Sequence, residues 1–150
     1  MDETEAKNVE GGQDLATVGQ RLSSFIVDLI VLSVIYIALI FLSGGEMGES
    51  IVGSGFGEVF HPTHFIMAAI GIGYYTYFFG KGQTPGMRLV EIRLVRTDGV
   101  EPVGLPRGFL RWVGMEISGI FLLLGYIWIL FDKKRQGWHD KIAGTYVVRS

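Results

Sequence analysis

Two ionisable residues stand at the edge of, and inside, a stretch that otherwise suits hydrocarbon: Arg21 and Asp28 in "RLSSFIVDLIVLSVIYIALIFL". Seven residues make about two helical turns, about 10.5 Å, and seven steps of 100° return to nearly the same face. Ser24 lies between them on that face. Arg21 sits at the edge, where a long stem can carry its charge toward headgroups. Asp28 lies six residues beyond Leu22, about 9 Å into the run. A lone carboxylate there costs at least ~2.5 kcal/mol even on the lenient insertion scale. It must find a cation, line water or take up a proton. Two chemistries follow. One is a buried structural ion pair; the other is an ion or proton site that gains and loses charge.

A second charged cluster is "FDKKRQGWHDKIAGTYVV", Phe131 to Val148. Asp132 follows an apolar run, where a negative charge opposes a helix C-terminal dipole. The adjacent Lys133, Lys134 and Arg135 are expected to offset it. His139 could titrate near neutral pH, but a surface histidine beside a capping Asp140 is the plainer expectation. Arg107 and Arg111 are four apart, on one helix face, and are candidate partners for Asp28 or for lipid phosphates. Glu116 is buried if its segment crosses the membrane once, and can stay near the interface if the segment turns back. Glu58, His61 and His64 stand three apart, but Pro62 interrupts any helix through them, so no metal site is expected. No phosphate-binding glycine loop or nucleophile elbow stands in a strand-to-helix setting. No cofactor is expected. An enzyme is a distant reading, because nucleophile, base and orienting group are not found as a set.

The elements that must hold these residues are apolar helices. The chain has 150 residues, 49% of them hydrophobic and 19% charged. Soluble domains carry about 25% charged residues, so this chain is depleted. Its mean hydropathy is +0.37, and the apolar residues come in blocks, as in membrane spans. A net charge of -2 gives no reason to expect nucleic acid as a partner. With no cysteine, disulfides, thiolate metal sites and cysteine nucleophiles are excluded.

Residues 1–19 are acidic and lack the basic start of a signal peptide; they are read as a disordered cytosolic tail. Residues 20–150 form the membrane domain, with spans at about 22–42 and 65–80. In the second span Ala69 and Gly73 have the spacing that lets helices approach closely. Tyr74, Tyr75 and Tyr77 suit the headgroup level. The loop 81–104 and the segment 132–150 are basic and therefore cytosolic; the acidic loop from Ser43 to His64 is outside. "TPG" at Thr84 to Gly86 reads as a turn. "RLVEIRLV" alternates as a strand, with Val90, Ile92 and Leu94 on one face, and "TYVV" is its expected partner. Paired strands share a compartment. Residues 105–131 are therefore read as a helix to about Ser118, a break near Gly119 and a second helix to Phe131. The alternative is one third span. The fold class is an all-α membrane protein, with two transmembrane helices, a cytosol-facing re-entrant helical hairpin (or a third span) and a small two-stranded cytosolic β element.

Three stretches in this order resemble the RDD family of membrane proteins, named for one Arg and two Asp. They are "RLSSFIVDLI", "GKGQTPGMRLVEIRLVRTDG" and "DKKRQGWHDKIAGTYVV". Arg21 and Asp28 match its first two named residues; the third is Asp140 or the nearby Asp132. The resemblance implies a multi-pass cell-membrane protein and, for some members, cation/proton antiport. Two functions stand open. The chain is a cation/proton antiporter or transporter subunit with Asp28 as its ion or proton site. Otherwise it is a structural or assembly partner with Arg21, Asp28 and Asp140 in a permanent salt-bridge network. Its expected partners are the lipid bilayer and either further copies of itself or another membrane protein, since so few helices barely enclose a path.

Overall fold

A computed structural model describes residues 8–9, 13–44, 62–121 and 124–150. Strands β1 (Asn8–Val9) and β2 (Gln13–Asp14) pair antiparallel. Leu15 then bridges Val148, and the Ala16 amide donates to Val147 O at 2.9 Å. The expected disordered tail therefore ends early. Leu15 and Ala16 are apolar enough to be buried, and they dock on a strand near the chain's end.

Helix α1 spans Val18–Leu42. Thr17 and Gln20 begin it with a capping box: Gln20 N–H donates to Thr17 Oγ1 at 3.2 Å and Thr17 N–H to Gln20 Oε1 at 3.0 Å. Each satisfies a backbone donor that the first turn leaves free. At 25 residues, about 37 Å, it exceeds the roughly 30 Å of a hydrocarbon core. Leu22, Ile26, Ile30, Val34 and Ile37 are exposed along it, a surface fit for lipid rather than water. Among the described residues, α1 is the single unbroken helix that is both long and apolar enough to cross a membrane.

Helix α2 spans Pro62–Gly80, with α3 (Pro85–Leu89), β3 (Ile92–Arg96) and α4 (Leu105–Ile120) following. The close approach of α2 to α4 does not use Ala69 and Gly73; a Cβ on Gly73 would meet nothing within 4 Å. It uses Gly80 and Gly108 instead, where a Cβ on Gly108 would stand 2.7 Å from Gly80 N. Of the three tyrosines expected at headgroup level, Tyr77 is exposed, with Lys81 Nζ 4.4 Å from its ring centre. Tyr75 is buried, and Tyr74 is drawn to Asp28, as described below.

After Ile120 the chain breaks and resumes as α5 (Leu124–Ile127) and a 3-10 turn at Trp128–Leu130. The two parts are bent by 111°. The expected break near Gly119 falls instead at Phe121, which caps α4. Helix α6 (Trp138–Ala143) and strand β4 (Thr145–Arg149) complete the fold. β4 pairs antiparallel with β3, Ile92 against Arg149 through Arg96 against Thr145, the partnership expected from the sequence. The first half of "RLVEIRLV" is not strand, however. Arg88 and Leu89 close α3, and Glu91 turns the chain at φ 54°. Ile92 and Leu94 then point into a core with Val147, Met87 and Phe79.

Candidate functional site

Helix α1 buries Ser24, Asp28 and Leu32, a stripe spaced by four. That stripe faces α3. Thr84 begins α3 as its N-cap, its Oγ1 accepting from Met87 N–H at 3.1 Å, with Pro85 next in the position where no amide is needed. This short helix aims its first donors at Asp28. Thr84 Oγ1–H donates to Oδ2 at 2.6 Å, and Gly86 N–H donates to Oδ1 at 2.8 Å. Tyr74 Oη–H, from α2, donates to Oδ1 at 2.8 Å. The contact requires glycine at position 86, since a Cβ there would lie 2.9 Å from Asp28 Cγ and still closer to Ser24 O. "TPG" is thus more than a turn: it is a receptor for the buried carboxylate of Asp28. The sequence carried its signal, a cap residue before proline and glycine, but not the partner.

Among the described residues, Asp28 does not meet a cation. Neither Arg107 nor Arg111 bonds to it, and Arg21 turns elsewhere. Arg21 Nη1 donates to Asp140 Oδ2 at 2.6 Å, and Arg111 Nη1 donates to Asp140 Oδ1. Arg111 also donates to Thr145 Oγ1 at 3.0 Å and lies 5.0 Å over the Phe79 ring. Gly137 N–H donates to Asp140 Oδ2 at 2.9 Å, closing the first turn of α6. Asp140 is fully buried, and the side chains of Arg111 and Arg21 are 4% and 10% exposed. Arg21 is therefore largely buried, with its Nη1 committed to Asp140. Burial works against the charge on Asp140, yet Arg111 and then Arg21 hold its carboxyl well below the usual carboxylate range.

The expected network of Arg21, Asp28 and Asp140 is thus two sites. One is a carboxylate held by neutral donors, the other a carboxylate between two arginines. Asp28 from the first and Arg21 and Arg111 from the second border one cavity of about 810 Å³, which is also lined by Glu116, Tyr75 and His139. Glu116 is exposed on α4.

His139 is not the surface histidine expected. It is buried, and Gly114 makes room for it: a Cβ there would come within 2.7 Å of His139 Cα. Burial pushes its pKa down to about 3 against the pull of Asp140, with Arg111 and Arg21 adding to the depression. The ring is neutral near pH 7, so its 3.6 Å approach to Asp140 is not an ion pair.

Asp132 is offset by Lys141, whose Nζ lies 2.5 Å away. Partial burial opposes its charge, but Lys141 and the Gln136 and Lys134 amides hold its carboxyl below the usual range. Arg107 donates to the carbonyls of Ala143 and Gly144 and pairs with Asp98, tying α4 to the end of α6. Glu58 and His61 lie outside the described residues. His64 is in α2, and no metal-binding group is found among the described residues.

The uncharacterized protein YxaI of Bacillus subtilis (strain 168) is 34% identical over 91 residues, 59% of this chain and 59% of that protein. The chain thus matches less than two thirds of that relative's length. No solved structure matches it. The profile of the RDD family matches residues 15–144, a range that holds both carboxylates, both arginines and every element from α1 to α6. The chain belongs to the RDD family, and with it to membrane proteins.

Proposed function

We propose that this protein is a membrane-embedded structural or assembly module whose buried charges are fixed latches. The observation that carries the reading is the full occupation of both carboxylates. Asp140 is clamped by two arginines and a backbone amide, and Asp28 by two hydroxyls and a backbone amide. These bonds close a cap made of α3, α6 and the β3–β4 pair over one end of α1, α2 and α4. A buried charge set this way gives the cap a unique seat, the best-attested use of such groups.

A second reading has one specific observation in its favour. Asp28 borders the cavity and has no cationic partner among the described residues. Its charge can change without stranding an arginine, as an ion or proton site for cation/proton antiport requires. Proton flux in proteoliposomes, driven by alkali cations, separates the two. The assembly reading expects no flux from the wild type. Flux that disappears in a well-folded Asp28→Asn protein establishes transport instead.

In this reading the protein is a multi-pass protein of the cell membrane, and the cap lies in the cytosol with the N-terminus. Support comes from the basic residues around it and from the β3–β4 pairing, which requires both strands on one side. The bent pair from Leu105 to Leu130 is then a re-entrant hairpin, not a span. Cysteines placed at Gly53, Asp98 and Ser150 test it: Gly53 is to be labelled from outside, the other two only after permeabilisation. Labelling of Ser150 from outside would restore the third span.

A further inference from the structure

We propose that the cavity between α1 and the α2–α4 pair holds an anionic phospholipid, its phosphate against Arg21 and Arg111 and one acyl chain along α1. The cavity, about 810 Å³, falls within the ~300–1,000 Å³ of small-ligand sites. Its walls divide by polarity. Arg21 and Arg111 lie at the capped end, and Leu29, Leu32, Ile72 and Met115 line the rest. Along α1 it extends from Val18 to Tyr36, about 27 Å at 1.5 Å per residue. That exceeds the roughly 15 Å of one leaflet's hydrocarbon, half of a 30 Å core. Helix α1 is held to α2 by Tyr36 Oη–H donating to Met67 O at 3.0 Å and by the Tyr74 bond to Asp28.

The anion is argued from donors that the fold leaves free. Arg21 Nε and Nη2 and Arg111 Nε are buried and have no hydrogen-bond partner among the described residues. Buried guanidinium donors without acceptors are costly, and a phosphate accepts from the planar fork of arginine in the geometry it offers. The charges agree: two arginines against Asp140 leave a net +1, and the neighbouring His139 is neutral. Of the other acids on the cavity, Asp28 is already held by three donors. Glu116 stands five residues beyond Arg111 on α4, about 7.5 Å further from the cap. Tyr75 Oη also lacks a partner among the described residues and lines the same cavity. It is placed to meet an ester oxygen below the phosphate.

The proposal rests on the membrane placement given above, with the arginines at the inner leaflet, and its test is independent of the labelling experiment. The full-length protein is purified in detergent and given phosphatidylglycerol or phosphatidylcholine of matched chains. Retained lipid and oligomeric state are read by native mass spectrometry. The expected result is about a fivefold preference for phosphatidylglycerol, the factor that one net positive charge gives near an anionic lipid. Ser33→Trp and Ala68→Trp obstruct the cavity from opposite walls without touching the arginines. Each is expected to abolish retention while the melting temperature measured without lipid stays at the wild-type value. Equal retention of the two lipids overturns the anion assignment. Undiminished retention in both tryptophan variants overturns the cavity as the site. A wild-type dimer free of lipid that both variants convert to monomer assigns the cavity to a second copy of the chain, and also overturns the proposal.

Discussion

Replacing Asp140 by asparagine tests the latch at its centre. The side chain is fully buried, with Arg111 on one oxygen and Arg21 on the other. Asparagine keeps the shape, removes the charge and points an amide donor at one of two guanidinium donors. Both arginines are then left in a site where their side chains are 4% and 10% exposed. Breaking a buried pair by removing one partner costs about 3–5 kcal/mol. A domain holds only ~5–15 kcal/mol in all. At about 2–4 °C per kcal/mol for a chain of this size, the melting temperature should fall by about 6–20 °C. The assay is thermal unfolding in detergent, followed by the tryptophan signal. A double-mutant cycle with Arg111→Gln supplies the control, because removing one stranded cation should recover part of the loss. If Asp140→Asn melts with the wild type, or if the two losses simply add, the arginines are not held by Asp140 and the latch is wrongly placed.

Gly86→Ala should be harmful although alanine suits helices better than glycine. Its Cβ would lie 2.9 Å from Asp28 Cγ, so α3 must move off α1 at about 1–3 kcal/mol, the usual cost of overpacking; wild-type thermal stability would refute that contact. His139 predicts a pH dependence. Its folded pKa, about 3, lies below the ordinary 6.5 or so, so the unfolded chain takes up the proton first. Its contribution is complete above about pH 6.5 and fades as pH falls toward 3, by up to about 1.4 kcal/mol per pH unit. The Asp140 pair does not obscure this between pH 7 and 5, because a depressed carboxyl loses its contribution only below its unfolded value, about 3.9. Unfolding measured across that window should show a shallower slope for His139→Gln than for wild type, and equal slopes would mean that the ring is not buried neutral.

Local chemistry made some features legible in the sequence and hid others. The length and apolarity of Leu22–Leu42 are properties of contiguous residues, and so are the alternation in "EIRLV" and the acidic and basic character of the loops. The family resemblance, too, lay in the spacing of short motifs. The helix from Leu105 and its break before Phe131 could be argued because paired strands must share a side. What sequence left open was which charge meets which. Asp28 and Arg21 share a helix face, and that suggested a shared network. Only the tertiary structure carried α3 over α1, so that Thr84 and Gly86 meet Asp28, and swung α6 against α4, so that Asp140 takes both arginines. These partners are 56 to 119 positions apart for Asp28–Thr84 and Arg21–Asp140, beyond the reach of any helical or strand period. His139 was misjudged for the same reason. Its burial depends on a glycine, Gly114, whose missing side chain leaves the space, and the sequence cannot say which neighbour will use that space.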